Sequence, residues 1–208
     1  MRNVGELLGN FHWIEAGKAA RSAQLHALAL GPFLASHRIA AMVNLRGAHP
    51  EFGWWRREIK VCRARGVRHF DVLLDSRRLP TRTMLANLME AFEIAPRPLL
   101  IKCSGGQDRT SLAAALYLLW GQGWDARARA MGQFSRLPYL HFPKPAQRWL
   151  RLLPNYAETE AQGRPLADWI RDAYDPAAFA AWLEKQGQAA SHGGLYRHAS
   201  GEAPLHIA

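Results

Sequence analysis

Residues 98–121 read Pro-Leu-Leu-Ile-Lys-Cys-Ser-Gly-Gly-Gln-Asp-Arg-Thr-Ser-Leu-Ala-Ala-Ala-Leu-Tyr-Leu-Leu-Trp-Gly. The short apolar run at 98–102 fits a buried strand, and it passes directly into Cys103 and two adjacent glycines. The apolar stretch at 110–121 fits a buried helix. Strand, glycine turn and helix in that order are the unit from which parallel α/β sheets are built. Glycines let successive N–H groups converge on one point, and a helix N-terminus adds partial positive charge there. Arg109, in the first turn, can fork two oxygens of an anion held in such a nest. A thiol facing the nest ionises below the ~8.5 of a free cysteine. Thr110 can donate a hydrogen bond to the same sulfur. Cys103, Arg109 and Thr110 are thus candidate catalytic residues. Ser104, Gly105, Gly106, Gln107 and Asp108, with Arg109, form the candidate phosphate cradle.

Outward from this unit, strands and helices alternate. Residues 39–45 read as a strand, 51–65 as a helix closed by Gly66, 67–74 as a strand, and 81–95 as a helix after Pro80. The alternation predicts an α/β fold with a mostly parallel central sheet flanked by helices. Beyond Gly121 the pattern is purely helical, over 125–135, 145–153 and 165–185, with a break at Pro176. Residues 187–208, rich in Gly, Ala, His and Ser, read as a tail.

Composition narrows the partner. The 208 residues are 49% hydrophobic, enough for a sizeable core, with 27 Lys and Arg against 17 Asp and Glu, a net charge of +10. Of the 27 cations 22 are Arg, which suits bidentate recognition of phosphate or carboxylate. An anionic partner is expected, a phosphoester, a nucleic acid or an acidic membrane surface, with nucleic acid not favoured. Two cysteines exclude a disulfide framework and a four-thiolate zinc site, and the nine histidines form no ligand pattern. No metal or cofactor is expected. The longest apolar run, 112–120, is too short to span a bilayer, and residues 1–14 lack a signal-peptide core. A cytoplasmic protein with reduced thiols is the expectation.

The Cys103 pattern is specific. Chance would give roughly 0.001 matches to Cys-x-x-Gly-x-x-Arg-[Ser/Thr] in a chain of this composition. Cys62 is an internal control: Arg68 stands six residues on, but its glycine, Gly66, is out of register and His69 follows the arginine. Cys62 reads as a packing residue on a helix face. Arg21 and Arg46 read equally as pocket charges or structural ion pairs, and Arg77-Arg78 as substrate grip or solvated loop. Trp54-Trp55 reads as a half-buried helix edge, and His192, His198 and His206 carry no assigned role.

The segment 103–110 resembles the signature loop of the cysteine-dependent protein tyrosine and dual-specificity phosphatases. Its Gly-x-Asp-Arg-Thr ending is similar to the subgroup holding bacterial tyrosine phosphatases and myotubularin-like lipid phosphatases. Arg21-Ser22-Ala23-Gln24 and Val43-Asn44-Leu45-Arg46 resemble the corresponding run of the bacterial and fungal branch. The likeness spans residues 11–135 and implies a phosphotyrosine-phosphatase-like fold in one phosphatase domain, 1–186, helical from about 122. Three positions depart from the pattern: Lys102 where many relatives have His, Ser111 where many have Gly, and Gln107 where lipid-phosphatase relatives have Lys. The resemblance implies attack by Cys103 on phosphorus, a phosphocysteine intermediate, and release of inorganic phosphate by water. The expected substrate is a phosphorylated protein, at tyrosine or at serine and threonine. A phosphoinositide, inositol phosphate or RNA 5′-phosphate is the alternative with the same chemistry. A catalytically silent phosphate-binding module and a sulfur-transfer or arsenate-reducing enzyme are the alternatives of other classes.

The general acid is the open assignment. Asp71 falls inside the 67–74 strand and reads as structural. Asp75 follows the carboxyl end of that strand, the edge at which open α/β sheets build sites, and it opens the 76–80 loop, whose mobility would bring it to the substrate. Asp108 lies in the signature loop itself. Asp75 is preferred narrowly, with Asp108 the alternative.

Overall fold

The computed structural model describes residues 9–208, so the reading of residues 1–8 lies outside it. Six strands form one sheet: β1 (His12–Glu15), β2 (Ala19–Ser22), β3 (Ala41–Asn44), β4 (Arg68–Asp71), β5 (Leu99–Lys102) and β6 (His206–Ile207). Their spatial order is β1-β2-β5-β3-β4-β6. The four central strands run parallel, and the edge strands β1 and β6 are antiparallel to their neighbours. The helices are α1 (Ala27–Ser36), α2 (Gly53–Ala64), α3 (Arg82–Ile94), α4 (Asp108–Gln122), α5 (Arg127–Gly132), α6 (Trp149–Ala161), α7 (Leu166–Asp172) and α8 (Pro176–Lys185). The mostly parallel sheet flanked by helices is the expected fold, with strands shorter than the apolar runs suggested. None of the described helices is long and apolar enough to cross a membrane.

Strand periodicity divides the interior in two. Ala20, Met42 and Leu100 face a small core with Leu30, Phe33 and Leu34 of α1 and Cys62 of α2. Their sequence neighbours Ala19, Ala41, Val43, Leu99 and Ile101 face the large core, built on α3, α4 and the C-terminal helices. Helix α4 is buried on every side from Thr110 to Leu119, consistent with an apolar run lacking a polar face. Helix α3 begins at Thr81, whose hydroxyl accepts the Met84 N–H at 3.2 Å and donates to the Gly201 carbonyl at 2.7 Å.

Residues 187–208, expected to trail as a tail, run back over the sheet. The Leu79 N–H donates to Gly194, and the N–H groups of Gly193 and Tyr196 donate to Arg77 and Leu79. The segment then adds β6 beside β4, which covers that strand's open edge. Only two residues pair, too few to show an alternating pattern in the sequence. The β1–β2 hairpin was likewise not visible as strands, because each is four residues and β2 carries Arg21 and Ser22.

Under the small-core face lies a buried polar knot. Lys102 Nζ sits 2.6 Å from Glu58 Oε1 and donates to Gln24 Oε1 at 2.8 Å, while His69 Nε2 lies 2.9 Å from the same Glu58 oxygen. Burial alone would raise the Glu58 pKa, but the His69 hydrogen bond and the Lys102 charge outweigh it and hold the group at about 2. Against an unfolded value of ~4.3, this contributes about 3 kcal/mol of stability above that pH, lost as pH falls toward the folded value. Denaturant unfolding from pH ~6 to ~2 is expected to show that loss, and Glu58→Gln, which also leaves Lys102 unpaired, to remove it.

Candidate active site

Cys103 leaves β5 at the carboxyl edge of the sheet, where the loop 104–107 turns into α4. Gly106 has φ +64°, and a Cβ there would lie 2.4 Å from the Ala23 nitrogen and 2.6 Å from the Ser22 carbonyl carbon. Only glycine fits both the backbone angle and the approach to β2. Gln107, before α4, makes no side-chain cap, and the first-turn N–H of Thr110 is instead directed at the Cys103 sulfur. Arg109 is held at 3.4 Å from the carbonyls of Leu45 and Leu74, beyond β3 and β4, and donates to Ser104 Oγ at 3.0 Å. It makes no ion pair among the described residues.

These groups meet in a cavity of about 190 Å³. Cys103, Ser104, Gly105, Gln107, Asp108 and Arg109 line it, with Ser76 and Gln147 from elsewhere. Burial by itself would keep the Cys103 thiol protonated. The Arg109 charge, the Thr110 hydroxyl and the N–H groups of Thr110 and Gly106 outweigh burial, and the pKa falls below the ordinary thiol value. The Thr110 hydroxyl is buried and bonds to no oxygen or nitrogen among the described residues. Cys62 shows the contrast: burial, with the Glu58 charge nearby, pushes it up to about 12.

Lys102, the residue before Cys103, spends its charge on Glu58 on the opposite face. The cation behind the loop is Arg21, which is fully buried. Its Nη2 donates to the Gly106 carbonyl at 3.0 Å and to Ser111 Oγ at 2.9 Å, and its Nη1 to the Gln133 carbonyl at 3.0 Å. No carboxylate among the described residues pairs with it. Burial lowers its pKa to about 10, so it stays charged at neutral pH. Ser111, in place of glycine, thereby acquires a partner. Arg46 stacks on Trp54, its guanidinium carbon 3.5 Å from the ring centroid.

The carboxylates separate clearly. Asp71 is buried and bonded to Asn44 at 2.7 Å and to the Trp55 indole at 3.0 Å, and lies 2.9 Å from His206 Nδ1. Asp75, preferred from the sequence, does not line the cavity; its Oδ1 accepts the N–H groups of Arg77 and Arg78 at 2.7 and 3.0 Å. The 76–80 loop, expected to be mobile, is tied down by residues 193–196 and by the Trp149 indole, which donates to the Ser76 carbonyl at 3.1 Å. Arg77 and Arg78 are exposed and do not line the cavity. Asp108 lines it, accepting from Gln147 Nε2 at 3.1 Å. His141, also buried, places Nδ1 3.4 Å from Asp108 Oδ1. Sequence reading missed His141, Gln147 and Ser76. Nothing local marks His141 and Gln147, which reach the site only when the 136–148 segment folds across the start of α4. Ser76 is held at the cavity by Gln147 and Trp149 of that distant part of the chain.

Gly106→Ala is expected to slow alkylation of Cys103 by iodoacetamide at neutral pH about ten-fold and to cost roughly 2 kcal/mol or more of stability. Mass spectrometry of the alkylated protein and thermal unfolding check both, with Cys62 remaining unmodified in either form.

No protein-family model and no curated protein matches the chain. Among solved structures it is similar to the core catalytic domain of the PP-IP phosphatase SIW14 from S. cerevisiae, with TM-score 0.51 and 15% identity over 86% of this chain and 93% of that one. PTPMT1 in complex with PI(5)P gives 0.54 and 16%, over 73% and 98%. Tk-PTP in its active form gives 0.50 and 19%, over 68% and 92%. What is shared at these identities is the architecture, and the chain has the phosphotyrosine-phosphatase-like α/β fold.

Proposed function

We propose that the protein is a metal-independent phosphomonoesterase working through a phosphocysteine. The observation that carries this reading is a buried thiol held below its ordinary pKa beside an arginine that makes no ion pair among the described residues. Arg109 sits in the first turn of α4, whose N-cap residue makes no side-chain cap, and the Cys103 sulfur accepts the Thr110 N–H of the same turn. The Cys103 sulfur attacks phosphorus, forming the S–P bond as the ester P–O bond breaks. Arg109 and the loop N–H groups hold the equatorial oxygens, whose charge is greatest in the transition state. Asp108 gives its proton to the departing oxygen. Water then attacks phosphorus, Asp108 takes the water proton, the S–P bond breaks, and phosphate leaves with the thiolate restored. We assign the acid to Asp108 rather than Asp75 because it alone of the two lines the cavity with Cys103. Gln147 donates to one oxygen of its carboxylate, and His141 stands 3.4 Å from the other. The solved phosphatases of this fold named above support the reading, and phosphotyrosyl peptides, phosphoseryl peptides and inositol phosphates form the substrate panel.

Cys103→Ser is expected to lose p-nitrophenyl phosphate turnover while still binding phosphate, and Arg109→Lys to lose ~10²–10³ in kcat, since an ammonium cannot present the planar fork. Near-normal turnover by Cys103→Ser overturns the assignment.

Asp108→Asn is expected to lose ~10²–10³ in kcat on an alkyl phosphate, with the alkaline limb of its pH profile flattened, and far less on p-nitrophenyl phosphate. Asp75→Asn, which keeps an acceptor for its turn, should behave as the parent on both substrates. The reverse pattern would return the acid role to Asp75.

A further inference from the structure

Among the described residues seven large apolar side chains are exposed, and three of them fall in one short loop: Leu137 at 77%, Leu140 at 39% and Phe142 at 61%. The loop reads Arg136-Leu-Pro-Tyr-Leu-His-Phe-Pro-Lys144. It is anchored from within. The Tyr139 ring lies under the Arg21 guanidinium at 4.2 Å, its carbonyl accepts from Asn10 at 3.1 Å, and His141 packs edge-on to Phe134. Between these inward residues the apolar ones stand outward. Leu140 is held at φ +56°, an unfavourable angle for leucine. A rigid loop that displays apolar side chains is an interaction surface.

Charge indicates the partner. From Asp125 to Glu158 no acidic residue intervenes, while six cations do. Arg127 is paired with Glu158, but Arg136, Lys144 and Arg148 make no ion pair among the described residues and are exposed. Exposed apolar side chains in one loop, flanked by cations without ion pairs among the described residues, match the boundary of an anionic bilayer: acyl chains meet the apolar side chains and headgroups meet the cations. A protein partner would require an apolar surface to receive these side chains, with its own acidic rim. We propose that the 136–144 loop docks this protein on an anionic lipid surface. Because Gln147 and His141 of the same segment touch Asp108, docking brings the mouth of the candidate site to the headgroup layer.

Co-sedimentation with phosphatidylcholine vesicles, with and without phosphatidylglycerol, tests this. The protein is expected to sediment with the anionic vesicles only, and to be released as salt rises from about 0.1 M to about 0.5 M. The double variants Leu137→Asp/Phe142→Asp and Arg136→Glu/Lys144→Glu are each expected to lower the bound fraction about ten-fold. Both should turn over p-nitrophenyl phosphate, without vesicles, at the parent rate. If the aspartate pair also loses turnover, the charge-reversal pair, which alters only exposed cations, decides. Absence of anionic-vesicle binding by the parent, salt-insensitive binding, or parent-level binding by the charge-reversal pair overturns the proposal; the first of these leaves a protein partner for the loop. Failure of the parent to hydrolyse p-nitrophenyl phosphate would count against the phosphatase reading alone, because sedimentation is scored without substrate.

Discussion

The site depends on how closely the backbone at Gly106 lies against the end of β2. The strand and the loop touch without an intervening side chain, and the Gly106 carbonyl is taken by both Arg21 and Asn10 at 3.0 Å. A trans peptide points its carbonyl and the following N–H in opposite directions. Turning the Gly106 carbonyl back toward Arg21 therefore turns the Gln107 N–H away from β2. A bulkier residue at 106 would push the loop off β2 and release this constraint.

The same arrangement sets the electrostatics. Near the thiol, Arg21 and Arg109 are bound to carbonyls and hydroxyls, not to carboxylates. Their charge is held in place without being neutralised, which is what an anion entering the cavity requires. On the opposite face of the sheet the logic reverses. Lys102 is neutralised by Glu58, and Cys62, close to that carboxylate, is driven toward the protonated form. The two cysteines acquire opposite character because one stands near arginines that make no ion pair among the described residues and the other near a buried carboxylate.

The C-terminal half completes what the sheet begins. Trp149 and Gln147 hold Ser76, and residues 193–196 pair with the loop at 77–79, so the wall beside the cavity is stitched from three distant parts of the chain. That stitching leaves Asp75 as a turn-forming carboxylate, while Asp108 is the carboxylate that lines the cavity.

Local order was legible in the sequence. The 98–121 stretch specified strand, glycine turn and buried helix, because each follows from chain-local rules: apolar run length, glycine freedom and the need of an all-apolar helix for burial. Register between Cys103, Gly106, Arg109 and Thr110 is likewise a property of a few consecutive residues, which is why the candidate nucleophile and its cradle could be named. The short edge strands, the docking of residues 187–208, the carbonyl partners of Arg21 and the approach of His141 and Gln147 to Asp108 were not legible. Each is a contact between segments far apart along the chain, and its energy comes from burial and hydrogen bonds that exist only once the sheet has formed. The choice between Asp75 and Asp108 belongs to this second kind, since position in sequence places both near the sheet edge and only packing decides which carboxylate meets the cavity.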